Sequence, residues 1–140
     1  MSEKVKDLVG AASEKLSEEI VKLLIEKKAQ NVKMYYVAEN TSVTDFYINA
    51  TGRSSTHVGA LSGEVEDLIA ERGREPLRVE GRGANAWILV DYGDVILNVF
   101  DRQSREFYDF DRLLPKESER NIEKFIEEVD EKLKINTAKE

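Results

Sequence analysis

The chain predicts an α/β (α+β) domain, a single mixed β-sheet of about five strands flanked by helices. Three observations lead there. Leu16, Ile20, Leu23, Leu24 and Lys27, and later Ile122, Phe125, Ile126, Val129 and Leu133, recur at the spacing of one helical face. Trp87 to Phe100 holds two Val- and Ile-rich runs about an Asp-Tyr-Gly-Asp turn, the pattern of a hairpin. The elements run helix, strand, strand, helix, strand, strand, strand, helix, an order that suits one sheet covered by helices.

In chain order, residues 1–12 form a charged lead-in and residues 13–135 a single domain. The first helix ends near Ala29 to Asn31. Strands come next at Val32–Ala38 and Asp45–Thr51, separated by a polar turn. Gly52 breaks the second strand. Ser54 and Ser55 open a helix whose stripe is Val58, Leu61, Val65, Leu68 and Ile69, with Gly73 as its C′ residue. Pro76–Glu80 is a short strand, and Gly81-Arg82-Gly83 links it to the hairpin. After Phe100 come the charged run Asp101–Glu106, then Phe107-Tyr108 and Asp109–Leu114. The last helix comes after Pro115, and 136–140 is a frayed tail.

In the hairpin, a loop at Tyr92 and Gly93 pairs Asp91 with Asp94, Leu89 with Ile96, and Trp87 with Asn98. Strand alternation then puts Ile88, Val90, Val95, Leu97 and Val99 on a wholly apolar face. The opposite face carries Trp87, Leu89, Asp91, Asp94, Ile96 and Asn98, a mixed set suited to meeting a partner.

With 140 residues the chain supports one domain with a real core. It has no cysteine and one histidine, which excludes disulfides, thiolate metal sites and a histidine-built metal centre. No apolar run approaches the roughly 20 residues of a membrane span, and a charged N-terminus does not read as a signal peptide, so the cytoplasm is expected. The net charge of −7 argues against broad binding to a phosphate backbone and suits a basic protein partner.

Three patterns could carry chemistry. Thr51-Gly52-Arg53-Ser54-Ser55 lies at a strand-to-helix junction able to hold a phosphate, yet it lacks the glycine spacing and lysine of a nucleotide loop, and a capped structural turn reads better. Asp91 with Asp94, or Asp109 with Asp111, offers oxygen ligands for a divalent cation, with no third group fixed by spacing. His57 has no identifiable nucleophile or orienting partner. The expectation is no cofactor, no metal and no enzymatic activity.

Three stretches together resemble one family. They are Thr44–Ser55 (Thr-Asp-Phe-Tyr-Ile-Asn-Ala-Thr-Gly-Arg-Ser-Ser) running into Val58, Ala60, Glu64 and Val65; Trp87–Val95, continuing to Val99-Phe100; and Arg105-Glu106-Phe107-Tyr108. This combination resembles the ribosomal silencing factors, the RsfS or Iojap family. Asn98 stands where that family usually has His, Asn49 replaces a usual aliphatic, and Leu114 stands where Trp is common.

The resemblance implies a nucleotidyltransferase-like fold without catalytic carboxylates. It implies a translational repressor that binds the large ribosomal subunit through ribosomal large-subunit protein fourteen and blocks joining of the small subunit. Trp87, Asp91, Tyr92, Asp94, Asn98 and Tyr108 become the candidate partner contacts. Little direct nucleic-acid binding and no membrane association are expected, and a homodimer is compatible with the sequence. The alternative, from another class, is a nucleotide-binding or nucleotidyltransferase-like enzyme using the Gly52–Ser55 turn and an aspartate pair.

Overall fold

A computed structural model describes residues 5–138. Among the described residues, four helices surround one mixed sheet: α1 (Ser13–Glu26), α2 (Ser55–Glu71), α3 (Arg102–Tyr108) and α4 (Glu123–Ala138). The strands are β1 (Gln30–Tyr36), β2 (Phe46–Gly52), β3 (Arg78–Glu80), β4 (Trp87–Asp91), β5 (Val95–Asp101) and β6 (Glu119–Arg120), ordered β3-β4-β5-β2-β1-β6 across the sheet. Of these strands only β2 and β5 pair in parallel; every other pairing is antiparallel.

The stripes foreseen for the long helices build the core. Leu16, Ile20 and Leu24 of α1, Val58, Leu61, Val65 and Ile69 of α2, and Phe125 and Val129 of α4 are buried with Ile48, Ala50, Ile88, Val90, Leu97 and Val99 of the sheet. Ser54 caps α2 by accepting the His57 backbone N–H, and Gly73 comes after its C-cap at φ 105°. Lys27, expected on the buried stripe, is instead the C-cap of α1.

The lead-in is not outside the core. Leu8 is fully buried, its N–H bonds the Arg72 carbonyl at 2.9 Å, and the Arg72 guanidinium grips both oxygens of Asp7 at 2.9 and 2.6 Å. Residues 1–4 lie outside the described residues. At the other end α4 continues through Ala138, so the expected tail is helical as far as it is described.

The hairpin register differs by two residues from that expected. Trp87 pairs with Phe100, Leu89 with Asn98 and Asp91 with Ile96. Tyr92 is not a loop residue; its N–H bonds the Val95 carbonyl, and Gly93-Asp94 forms the loop, with Gly93 at φ 91°. A slip of two leaves the alternation of faces intact, so the apolar face is the one expected.

Three further elements depart from the expectation. β6 pairs with β1 as an edge strand, giving six strands where about five were expected. α3 and a 3₁₀ turn at Phe110–Leu113 fold back against the second face of the sheet, and every residue of β5 up to Phe100 is buried. The mixed face is therefore largely covered rather than open.

Gly81 sets the entry to β4. It adopts φ 95°, and a Cβ there would overlap the Trp87 carbonyl. Gly81→Ala combines a strained backbone with a clash against another backbone, and is expected to cost about 2 kcal/mol or more in urea unfolding.

Candidate functional site

The second face is organised by the chain reversal after β5. The Asp101 carboxylate caps α3 by accepting the Ser104 N–H at 2.7 Å. Asp109 ends that helix in the left-handed region at φ 50°, which turns the chain into the 3₁₀ segment. These two short elements bring aromatic side chains over the start of β4.

An aromatic stack results. The Trp87 ring lies 4.8 Å from Phe100 below it, 5.0 Å from Tyr108 and 6.1 Å from Phe110. Tyr108 meets Phe107 edge-on at 5.0 Å, and Phe110 meets Tyr47 at 5.2 Å. The stack passes from buried Phe100 through half-buried Trp87 to Tyr108, 53% exposed, and Phe107, 79% exposed. Leu113, on the adjoining 3₁₀ turn, is 73% exposed. Large apolar side chains left in water beside one another mark an interaction surface.

Beneath the stack runs a hydrogen-bond relay. Trp87 Nε1–H donates to Asn98 Oδ1 at 2.9 Å, Asn98 Nδ2 to Asn49 Oδ1 at 3.1 Å, and Asn49 Nδ2 to Asp111 Oδ2 at 3.2 Å. The indole is only a donor and the carboxylate only an acceptor, which fixes both amide orientations between them. Asn49 and Asn98 are register partners on the parallel strands. Asn49 and Asn98 thus meet each other, and each satisfies the other's buried amide.

Asp111 collects the rest. It accepts from the Tyr35 hydroxyl at 2.7 Å and from Arg105 Nε and Nη2 at 3.1 and 3.0 Å. Arg105 is buried, and its Nη1 also donates to the Asn31 carbonyl at 2.6 Å and to Thr51 Oγ1 at 3.0 Å. Burial pushes the Asp111 carboxyl up, but the Arg105 guanidinium, the Tyr35 hydroxyl and the Asn49 amide outweigh it and hold it below the ordinary 3.8. Burial and the bond to Asp111 together raise the Tyr35 hydroxyl.

This depression has a sign for stability. A carboxyl held lower in the folded than in the unfolded chain contributes stability above its ordinary value, and loses it as pH falls through the folded value. Asp7, held down mainly by its bond to Arg72, acts in the same direction. Urea midpoints should be flat near neutrality and fall below about pH 4, and Asp111→Asn should remove part of that fall.

The candidate contacts separate on this geometry. Trp87 and Tyr108 belong to the stack. Asp91 is half-buried, accepting from Arg78 at 3.1 Å and from the Gly93 N–H at 2.7 Å, and Asp94 accepts from Arg74 at 2.9 Å. Asn98 is 1% exposed and supports Trp87 from below. Tyr92 is 3% exposed and lies on the opposite, apolar face with Ile88 and Val90, so neither it nor Asn98 presents a surface to a partner. Arg105 and Phe107, the organiser and the most exposed ring, were not among the expected contacts.

The chemical alternatives find no convergence. Asp91 and Asp94 are each held by a different arginine, and among the described residues no three His, Cys, Asp or Glu side chains gather as metal ligands. His57 ties two turns together: Nδ1 accepts the Arg53 N–H at 3.0 Å and Nε2 sits 3.2 Å from the Lys27 carbonyl. Among the described residues no helix is long and apolar enough to cross a membrane.

The model of the family described as "ribosomal silencing factor during starvation" matches residues 10–140. The chain belongs to the ribosomal silencing factor family. A ribosomal silencing factor RsfS from Halalkalibacterium halodurans is 29% identical over 102 residues, 73% of this chain and 87% of that protein. A crystal structure of a Chromobacterium violaceum protein superposes with a TM-score of 0.72 at 29% identity, covering 74% of this chain and 87% of that one. The mouse protein named mitochondrial assembly of ribosomal large subunit protein 1 is 24% identical over 97 residues, 67% of this chain and 42% of its own length. Ribosomal silencing factors are named for regulating the ribosome rather than for a reaction.

Proposed function

We propose that this chain represses translation by docking on the large ribosomal subunit, through ribosomal large-subunit protein fourteen, and occluding the small subunit. The observation that carries the reading is the exposed pair Phe107 and Tyr108 stacked onto Trp87, with exposed Leu113 on the adjoining 3₁₀ turn. Aromatic anchors surrounded by polar groups are the usual energetic centre of a protein interface. Glu106 and Asp109 beside the cluster are exposed carboxylates suited to a basic partner. Membership of the silencing family and the name of the mouse relative support the large subunit as the target.

The nucleotide-enzyme alternative has less support. The Gly52–Ser55 turn has a structural account, because a Cβ at Gly52 would sit 2.8 Å from Val58 N and Cγ2, and Ser54 is used as a cap. The test is co-pelleting with purified large subunits together with a subunit-joining assay in the cytoplasmic ionic range. The native chain should pellet and suppress joining, whereas Phe107→Ser/Tyr108→Ser, altering exposed positions, should fold normally and do neither. Failure of the native chain to pellet at moderate salt would overturn the reading.

A further inference from the structure

We propose that the end of the sheet where β2 and β5 terminate is an RNA-backbone contact, made by Lys27, Lys28, Arg53 and Arg102. It rests on the docking reading only in taking the ribosome as the source of the RNA. The topology gathers these cations from three separate turns. β1 begins opposite the end of β2, with Gln30 paired to Thr51, and β5 ends beside β2, with Asp101 paired to Gly52. The α1–β1 turn, the β2–α2 turn and the start of α3 therefore share one edge.

The turns are stitched to one another. His57 bridges the Arg53 N–H and the Lys27 carbonyl, and Arg105 bridges the Asn31 carbonyl and Thr51. Between them lies a cleft of about 270 Å³ lined by Gln30, Asn31, Thr51, Arg102, Arg105 and Glu106. The cations are thus presented from a braced surface rather than from independent loops.

Their charge is uncompensated. Arg72, Arg74, Arg78, Arg82 and Arg105 each face a carboxylate. Among the described residues Lys27, Lys28, Arg53 and Arg102 make no ion pair, and Lys28, Arg53 and Arg102 are exposed. Of the nearby acids, Asp101 keeps its charge while it caps α3 and Glu106 lies at the rim of the cleft, and the four cations outnumber these two. In a chain of net charge −7 this is a local reversal of sign, and local sign rather than net charge decides what meets a surface. α2 adds to it, since its first turn, Ser55 onward, carries no acidic residue.

The chemistry favours a backbone over a nucleotide. No aromatic ring lines the cleft on which a base could stack. Cations spread over three turns suit an extended phosphate backbone, and such contacts carry no sequence information. The turn Thr51–Ser55 and His57, unused by the aromatic face, find a role as the frame of this edge.

The experiment measures fluorescence anisotropy of a labelled RNA hairpin against salt. The native chain should bind in a salt-dependent, sequence-independent way. Arg53→Gln/Arg102→Gln should keep the native melting temperature, reduce the salt slope by about two, and bind on the order of 50-fold more weakly at about 0.1 M salt. Native-like RNA binding by that variant, or no binding by the native chain at low salt, would overturn the proposal. Displacement of the hairpin by millimolar adenosine monophosphate would also overturn it, in favour of a single-phosphate pocket. A native chain that pellets with subunits but binds no RNA strikes this proposal alone; a native chain that binds RNA but does not pellet strikes the docking reading and leaves this one standing.

Discussion

Arg105→Ala should lower stability by about 3 kcal/mol in urea unfolding. The buried guanidinium makes bonds to Asp111, the Asn31 carbonyl and Thr51. Its removal strands a half-buried carboxylate and leaves a carbonyl and a hydroxyl without their donor. Partial exposure of Asp111 screens some of this, which keeps the loss toward the lower end for a broken buried pair. Arg105→Ala/Asp111→Asn should recover part of the loss, because the second change removes the stranded charge. If the double variant is no better than the single one, Arg105 acts by packing alone. The same cycle should show a smaller coupling as pH falls through the folded Asp111 value, because protonation removes the charge that the guanidinium pairs.

Periodicity made the long elements legible in the sequence, whereas contacts made by packing left little trace there. The stripes of α1, α2 and α4 are long enough for a 3.6-residue repeat to be unambiguous. The faces of the hairpin survived a wrong register because its error was two residues, the period of a strand. The register itself was open because Gly93 could occupy either loop position; Tyr92 pairing with Val95 settles it. α3 has seven residues and no apolar stripe, and its one local signal is Asp101 three residues before Ser104. Without α3 the mixed face reads as open and Asn98 as a surface contact. Tyr92 reads as exposed for a different reason, its place in the expected loop, whereas its N–H pairs with Val95 and its ring joins the apolar core. Arg105 was invisible for the opposite reason: an arginine is ordinarily exposed, and only the tertiary meeting of β2, α3 and the 3₁₀ turn buries it.

The Asn49–Asn98 pair joins the buried ion pair to the aromatic stack. Separately, each amide interrupts an apolar strand and would be costly if unpaired. Together they link the Arg105–Asp111 pair to the indole of Trp87, so the stability of the buried pair and the orientation of the Trp87 ring depend on one chain of bonds.

Trp87→Ala is expected to weaken co-pelleting with large subunits by about 30-fold or more, the effect of deleting an interface anchor. The same change removes a half-buried ring packed on Phe100 and is expected to cost a few kcal/mol of stability. Trp87→Phe separates the two effects. It keeps an aromatic ring against Phe100 and Tyr108 while leaving Asn98 Oδ1 without its donor, a loss of about 1 kcal/mol. If Trp87 serves the partner through its oriented indole, Trp87→Phe folds well and still pellets poorly. If Trp87 serves only to prop Tyr108 and Phe107 outward, Trp87→Phe pellets like the native chain and Tyr108→Ser alone reproduces the defect. The relay favours the first outcome, because a ring needed merely as a prop has no use for a hydrogen bond that fixes its rotation about the strand.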